Sequence, residues 1–476
     1  MFKKQNFDYD LVVIGSGAAG GTSALMAAGA GLKTAIVEAK KWGGTNVNRR
    51  DIPYAAASYF SQTYANARLA SRFGMSTENA KYNYPTVSHW RKLACKRAGA
   101  GSKKEFEDAG VTCLDGFANF LSPFEISVGE GGRISAKNFI IATGTEPLDN
   151  KITTNMHCLL PEEALDLPKI PKVTLVVGGG PTGCEVAEYL AEMGSKVLLV
   201  EISERLLPKE DPEVGEVIET RLTKVLGVKV LTQSRVQAVV QDGKVAKVTF
   251  IRGAQEKAVR VESVVFCTGS KPATDLGLDN AGVKFSKAGI EVSQTLQTSV
   301  KHIFAAGDVA HTPIPKLAAN KRDSRDDTDP NEISSTEKAS YQAAIATANI
   351  VNKNKVIADY RGFVRTVGTM PSVAAIGLTE DECMKRDLKY KQELTPINMV
   401  SASNTNDFHD GFVKIVVDRD RNILGASVVT PNADLVIQEI TFAMKYGHKI
   451  SDVANMPHVA TGWAEAVRIC ARRLAK

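Results

Sequence analysis

The chain has 476 residues, 43% hydrophobic and 24% charged, with a formal net charge of +6; its length suggests about three domains and its composition is that of a globular protein. The densest basic cluster (Lys96, Arg97, Lys103, Lys104) has no aromatic interleaving and no apolar run approaches membrane-spanning length, so neither a nucleic-acid partner nor a membrane span is expected, and no signal-peptide core opens the chain. Seven cysteines (Cys95, Cys113, Cys158, Cys184, Cys267, Cys383, Cys470) are scattered without CxxC or CxxxxC spacing, which predicts a reducing cytoplasm, no disulfide framework and no metal site.

The first element is a short β-branched run, Leu11 to Ile14, which predicts a buried strand. It ends in Gly15-Ser16-Gly17-Ala18-Ala19-Gly20. An alanine-rich helical segment follows, and a second apolar run from Thr34 to Val37 closes on Glu38. Strand, glycine turn, helix, strand and terminal acid together predict a dinucleotide-binding βαβ unit. Gly15 permits the tight turn, Gly17 lets a pyrophosphate approach the backbone, and Gly20 lets helix and strand pack closely. Ser16 and Ala19 complete the turn, the helix N-terminus offers N–H groups to phosphate, and Glu38 stands where a carboxylate would take ribose hydroxyls.

Next comes Gly43-Gly44-Thr45-Asn46-Val47-Asn48-Arg49-Arg50-Asp51-Ile52-Pro53. From Asp10 to Pro53 the chain resembles the opening of the pyridine nucleotide–disulfide oxidoreductases, the family of lipoamide dehydrogenase, glutathione reductase and mercuric reductase. In that family Gly-Gly-Thr is followed by two cysteines with four residues between them, then Ile-Pro-Ser-Lys. Here Asn46 and Asp51 stand at the cysteine positions and Tyr54-Ala55 where serine and lysine would be. Neither Asn46 nor Asp51 can form a thiolate or a disulfide. The resemblance implies Gly44 and Thr45 as FAD contacts. Three readings of Asp51 stand open: a carboxylate beside the flavin with Arg49 or Arg50 as its partner, a proton donor to an acceptor, or a cap on the helix continuing through Pro53.

Residues 55 to 110 read as helical with a break near Asn83-Tyr84-Pro85, and Val111 to Val128 as short strands. The resemblance places Ala118 among the cofactor contacts. Ile140 to Thr145 resembles the family's second flavin signature, implicating Thr143 and Gly144. Lys172 to Glu201 then repeats the opening design: strand Val173 to Val177, turn Gly178-Gly179-Gly180-Pro181-Thr182-Gly183, helix Cys184 to Met193, strand Lys196 to Val200 and the acid Glu201. Two such folds imply two bound dinucleotides. An acid at Glu201 favours a free 2′-hydroxyl, so NADH is expected over NADPH, with Arg205 nearby as a competing cation. Glu185 matches the family glutamate near the nicotinamide and flavin; its lysine partner is replaced by Ala55, and a plain glutamate on a partly buried helix face is the other reading. Val264 to Gly269, with Lys271-Pro272, resembles the exit from this domain, with Gly269 a nucleotide contact.

Ile303 to Asp308 resembles the motif whose aspartate binds the flavin ribityl chain, implicating Gly307 and Asp308. Asn320 to Glu332 is polar, sign-mixed and aperiodic, hence a loop, either a solvated insertion or a lid near the flavin. Ser334-Ser335-Thr336-Glu337 predicts a capping box opening a helix through Ile350. From about Gly362 the chain resembles the family's dimerisation domain, with strands at Gly411 to Val417 and Ile423 to Val429 and an amphipathic helix from Ala433 to Tyr446. Glu465 aligns with the family's catalytic glutamate; Ala460 falls on its histidine, and His458 reads as structural.

The expected fold class is α/β, with two Rossmann-like dinucleotide-binding domains, for FAD and NAD, and a C-terminal α+β dimerisation domain. The expected division is 1–148 (FAD, first part), 149–272 (NAD(P)H), 273–352 (FAD, second part) and 353–476 (dimerisation). Asn46, Asp51, Glu185 and Glu465 are the candidate catalytic residues. The resemblance implies a homodimer that passes hydride from NADH to FAD. With Asn46 and Asp51 in place of the cysteines, electrons are expected to go from flavin directly to a small-molecule acceptor other than a disulfide (quinone, dye, oxygen or another nicotinamide), and the cysteine usage implies a cytoplasmic protein. The alternative is a catalytically quiet FAD- and NAD-binding homodimer acting as sensor or scaffold.

Overall fold

The computed structural model describes residues 6–76, 80–98, 101–148, 153–154, 158–312, 331, 335–352 and 355–476. The apolar run at the start forms β1 (Tyr9–Ile14), followed by α1 (Ala18–Gly29) and β2 (Thr34–Glu38). Leu11, Val12 and Val13 are fully buried, as a parallel strand covered on both faces requires. After α2 (Gly44–Asn48), α3 (Asp51–Leu69), α4 (Tyr84–Ala98) and α5 (Lys103–Asp108), the chain returns as β3 (Thr112–Asp115), β4 (Ala118–Ser122), β5 (Glu125–Val128) and β6 (Gly132–Ile141). The sheet order is β3-β2-β1-β6-β5-β4, with strand Ile303–Ala305 also paired to β6. Ligands of such sheets lie beyond the carboxyl ends of the strands, where the first glycine turn sits.

The second unit repeats the plan with β7 (Val173–Val177), α6 (Pro181–Glu192) and β8 (Lys196–Val200). It builds a parallel sheet in which Lys229–Leu231, β8, β7 and Ser263–Phe266 are successive neighbours. Strands Ser270–Pro272 and Thr145–Pro147 pair antiparallel where the chain crosses between the two units. The last unit is a five-stranded antiparallel sheet in the order Val364–Val367, Ser372–Gly377, Ile423–Thr430, Phe412–Asp418 and Tyr390–Pro396. The terminal helix Glu465–Ala475 buries Val467, Cys470 and Leu474 in its core.

Two local expectations are corrected, and a third lies almost wholly outside the described residues. The helix after the glycine–aspartate motif, α7 (Thr336–Val351), is capped by Ser335, whose Oγ accepts the Lys338 N–H at 3.1 Å. The residue three beyond that cap is Lys338, and a capping box needs Glu or Gln there, so this is a single cap. The helix from Ala433 to Tyr446 is divided into Ala433–Val436 and Gln438–Tyr446. Ile437 between them keeps helical angles (φ −73°, ψ −15°), so the apolar face continues across the tightened turn. The polar run Asn320 to Glu332 lies outside the described residues apart from Asn331, whose side chain brackets the Thr312 backbone at 2.9 and 2.8 Å.

Candidate functional site

The two glycine turns have the same construction. Gly15 adopts φ +101°, and a Cβ on Gly20 would lie 1.7 Å from the Gly15 carbonyl oxygen. Gly178 adopts φ +107°, and a Cβ on Gly183 would lie 1.8 Å from its carbonyl oxygen. These glycines are demanded by the protein itself. Gly17 and Gly180 are different: a Cβ on Gly17 meets nothing nearer than 3.8 Å, and one on Gly180 nothing within 4 Å. That open backbone at a helix N-terminus is a cradle for a pyrophosphate.

The two acids match as well. Glu38 accepts the Ser16 N–H (2.9 Å) and hydroxyl (2.6 Å) on one oxygen and the Lys40 N–H (2.8 Å) on the other. Glu201 accepts the Gly179 N–H (2.5 Å) on one oxygen and the Ser203 N–H (2.7 Å) on the other. Each carboxylate is locked to its own turn with lone pairs left over for ribose hydroxyls. Pro181 and Thr182 form the first turn of α6, and Gly269, at φ +102°, turns the chain toward the crossing strand.

A cavity of about 610 Å³ opens over the first turn, a volume in the usual range for a cofactor cleft. Gly15, Ser16, Gly17, Ala19 and Glu38 line one part of it, and Gly44, Thr45, Asn46 and Asp51 another. Ala118, Thr143, Gly144, Gly307 and Asp308 complete the candidate residues on its wall. Gly20 lies behind the turn, and neither Glu185 nor Glu465 lines the cavity. The cradle, the locked acid and the volume fit the FAD that the resemblance implies. Two residues bearing on this wall escaped the sequence reading. Lys338, 3% exposed, places Nζ 3.4 Å from Asp308 Oδ1, and Gln342 accepts the Gly307 N–H at 2.8 Å. The available signal was two polar residues at i, i+4 on the buried face of α7.

Asn46 lies in α2 and Asp51 is the first residue of α3. The residue capping α3 is Arg50, with no side-chain cap bond, which replaces the reading of Asp51 as that cap. The Asp51 carboxylate instead accepts the Thr336 hydroxyl at the start of α7. Arg49 pairs with Glu162 at 2.5 Å. The face where a dithiol would stand therefore ties two helix N-termini together.

On α6, burial pushes the Glu185 carboxyl up to about 7, against the opposing pull of the Gly368 N–H at 2.7 Å and of Arg50. Burial likewise pushes Glu188 up to about 8, against Arg221 and the Met370 N–H. Both groups hold protons in the folded state that the unfolded chain releases above its carboxylate range. Their stabilising effect is complete at low pH and is lost as pH rises from about 4.5 to about 8. Glu188→Gln is thus expected to flatten the fall in unfolding midpoint between about pH 6 and pH 8.5. A fall as steep as in the wild type would count against this account.

Glu465 opens the terminal helix and pairs with Arg468, which holds its carboxyl below the usual range. His458 Nε2 lies 2.7 Å from Glu439 Oε2, and Nδ1 lies 2.9 Å from the Met456 carbonyl. The histidine–glutamate contact of this region therefore runs to Glu439.

Two glycine-turn folds, each closed by a locked acid, make a protein built to hold two dinucleotides, with an appended antiparallel domain. Residues 9–343 match the family model described as pyridine nucleotide-disulphide oxidoreductase, and residues 363–469 match that family's dimerisation domain. The chain belongs to this family, whose members bind FAD and NAD(P). It is 31% identical over 480 residues to a dihydrolipoyl dehydrogenase of Thermus scotoductus, covering 98% of each chain. It is 29% identical to a mercuric reductase of Bacillus cereus, over 98% of this chain and 71% of the relative. Among solved structures, the HOCl-induced flavoprotein disulfide reductase RclA of Escherichia coli superposes with a TM-score of 0.83 at 20% identity, covering 98% of this chain and 99% of that one. LpdA of Mycobacterium tuberculosis does so at 0.84 and 23%, with the same coverage. At those identities the structures speak for the fold. Among the described residues no helix is long and apolar enough to cross a membrane.

Proposed function

We propose that the protein is an FAD-dependent NADH oxidoreductase that passes electrons from flavin directly to a small-molecule acceptor other than a disulfide. The observation that carries this reading is the pairing of two intact dinucleotide cradles with Asn46 and Asp51 on the cavity wall where the family resemblance places a dithiol. FAD, when bound, supplies the hydride acceptor and the store of two electrons. The chain's own residues do the rest. Gly17 and the start of α1 would hold the flavin nucleotide's pyrophosphate, Glu38 would take its ribose, and Asp308, kept beside Lys338, would take the ribityl chain that the resemblance assigns to it. Gly180 and Glu201 hold the nicotinamide dinucleotide in the same way. Asp51 keeps α3 and α7 together at the acceptor face, with Asn46 lining the approach. Glu185, which the resemblance assigns to the nicotinamide side, would act there as a group whose charge changes near neutral pH because of its burial.

NADH is favoured over NADPH because Glu201 repels a 2′-phosphate and the neighbouring Arg205 points elsewhere, to Asp381 at 3.0 Å. We assign the apolar side chains exposed on the last domain, Leu435, Phe442, Tyr446, Met456 and Val459, to a homodimer contact. Stopped-flow mixing with NADH is expected to bleach the flavin within the turnover time, and quinones or dyes to restore it. Glu201→Ala is expected to narrow the NADH preference by about tenfold, the effect of one charged hydrogen bond lost together with one repulsion relieved. Wild-type protein reduced faster by NADPH would overturn the nucleotide assignment. Protein that binds both nucleotides and never bleaches would leave the quiet sensor as the reading.

A further inference from the structure

The segment after β8 carries Glu201 and then a run of charged residues whose side chains reach the C-terminal domain. Arg205 Nη2 lies 3.0 Å from Asp381 Oδ2, 3.3 Å from the Glu210 carbonyl and 3.5 Å from the Pro208 carbonyl. The Glu210 carboxylate takes the Arg365 guanidinium in a two-pronged pair at 2.9 and 2.9 Å. Asp211 accepts the Ser427 hydroxyl at 2.7 Å and the Glu380 N–H at 3.1 Å. Lys414, fully buried, sits 2.7 Å from Glu380, 3.0 Å from Glu213 and 3.3 Å from Asp211. Burial would lower this lysine, and the three carboxylates outweigh that and hold it charged. The loop that presents the ribose-reading acid is thus strapped to another domain by several independent ion pairs.

Arg205 stands apart within this strap. It is four residues beyond Glu201, and a guanidinium at that distance from the ribose acid is the group that suits a 2′-phosphate. Its pair with Asp381 is about one-third exposed on both sides (34% and 31%), so the pair is worth little as a clamp. It matters as direction: together with the Pro208 and Glu210 carbonyls it turns the Arg205 guanidinium toward the C-terminal domain. The other pairs do not depend on it, because Arg365, Lys414 and Ser427 have their own partners.

We propose that Asp381, in the C-terminal domain, is a specificity-determining residue for the nicotinamide dinucleotide: it holds Arg205 off the ribose edge and so excludes a 2′-phosphate. This rests on the reading that Glu201 closes the nicotinamide nucleotide site. Asp381 acts through Arg205 and is a positioning residue.

The test uses FAD-loaded protein titrated with NADP⁺ and NAD⁺ by calorimetry, alongside flavin reduction by NADPH and NADH. Asp381→Asn is expected to tighten NADP⁺ about tenfold, the scale of one new charge-assisted contact, while NAD⁺ stays within about twofold. The double variant Asp381→Asn/Arg205→Met is expected to lose that gain, and Asp381→Glu to keep the wild-type selectivity. Unchanged NADP⁺ affinity in an Asp381→Asn protein with a wild-type unfolding midpoint overturns the proposal. So does a gain that survives removal of Arg205. A wild type that already prefers NADP⁺ would instead sink the nucleotide assignment itself, so the two failures are told apart.

Discussion

Gly20→Ala is expected to yield protein without flavin, insoluble or colourless after reconstitution with FAD. The added methyl would lie 1.7 Å from the Gly15 carbonyl oxygen, and backbone cannot swing aside as a side chain can. Relief requires moving α1 away from β1, whose packing forms the floor of the cavity. The cost belongs to the upper range of single substitutions, about 4 kcal/mol or more. Gly17→Ala makes the informative comparison, since its nearest neighbour would be 3.8 Å away. This variant is expected to fold with an unchanged far-ultraviolet spectrum and to lose FAD affinity alone, because the methyl enters the space of the ligand. Gly180→Ala, with nothing within 4 Å, is expected to retain FAD and to need about tenfold more NADH for half-maximal reduction. Normal FAD content in Gly17→Ala would show that the first turn is not the pyrophosphate cradle.

Lipoamide, glutathione disulfide and Hg²⁺ are expected to be inert as acceptors under conditions where quinones are turned over, although similar proteins carry the names dihydrolipoyl dehydrogenase, mercuric reductase and flavoprotein disulfide reductase. Exchange with a disulfide requires a thiolate. None of the described residues lining the cavity is a cysteine. Cys184, Cys383 and Cys470 are buried. Burial pushes the thiols of Cys158 and Cys383 up to about 11 and that of Cys470 to about 12. Cys267, behind the second glycine turn, is raised by burial as well. Reduction by NADH should accordingly produce no long-wavelength thiolate-to-flavin band, and alkylating the accessible cysteines should leave the quinone rate within about twofold of the untreated enzyme. Appreciable lipoamide turnover, or a quinone rate abolished by alkylation, would contradict a direct flavin-to-acceptor route.

The two nucleotide folds were legible in the residues because their determinants are local. A glycine turn, its helix and its acid lie within about thirty residues of chain, and backbone geometry at Gly15 and Gly178 leaves few alternatives to glycine. The spacing from turn to acid is set by one helix and one strand, so Glu38 and Glu201 arrive at the same place and accept from the equivalent two backbone N–H groups. The asparagine and aspartate at 46 and 51 were equally plain, since residue identity alone denies them thiol chemistry.

Pairings between distant segments were not legible. Asp51 looked like a helix cap because aspartate before a proline is common there; its partner, Thr336, lies 285 residues away. Arg205 looked like a cation beside the ribose acid, and only the approach of the C-terminal domain brings Asp381, 176 residues on, within reach. His458 meets Glu439 and not Glu465, because the helix Gln438–Tyr446 and the loop after Asn455 pack together. Lys414 sits between Val413 and Ile415 in a strand that is otherwise apolar up to Asp418, and its three carboxylates belong to other elements. Long charged side chains take whichever partner the packing delivers, and no periodicity records that choice. Local sterics thus decided from sequence alone that two dinucleotides can bind, whereas the tertiary structure decided where each charge points, because Coulomb partners are selected by spatial proximity and burial rather than by order along the chain.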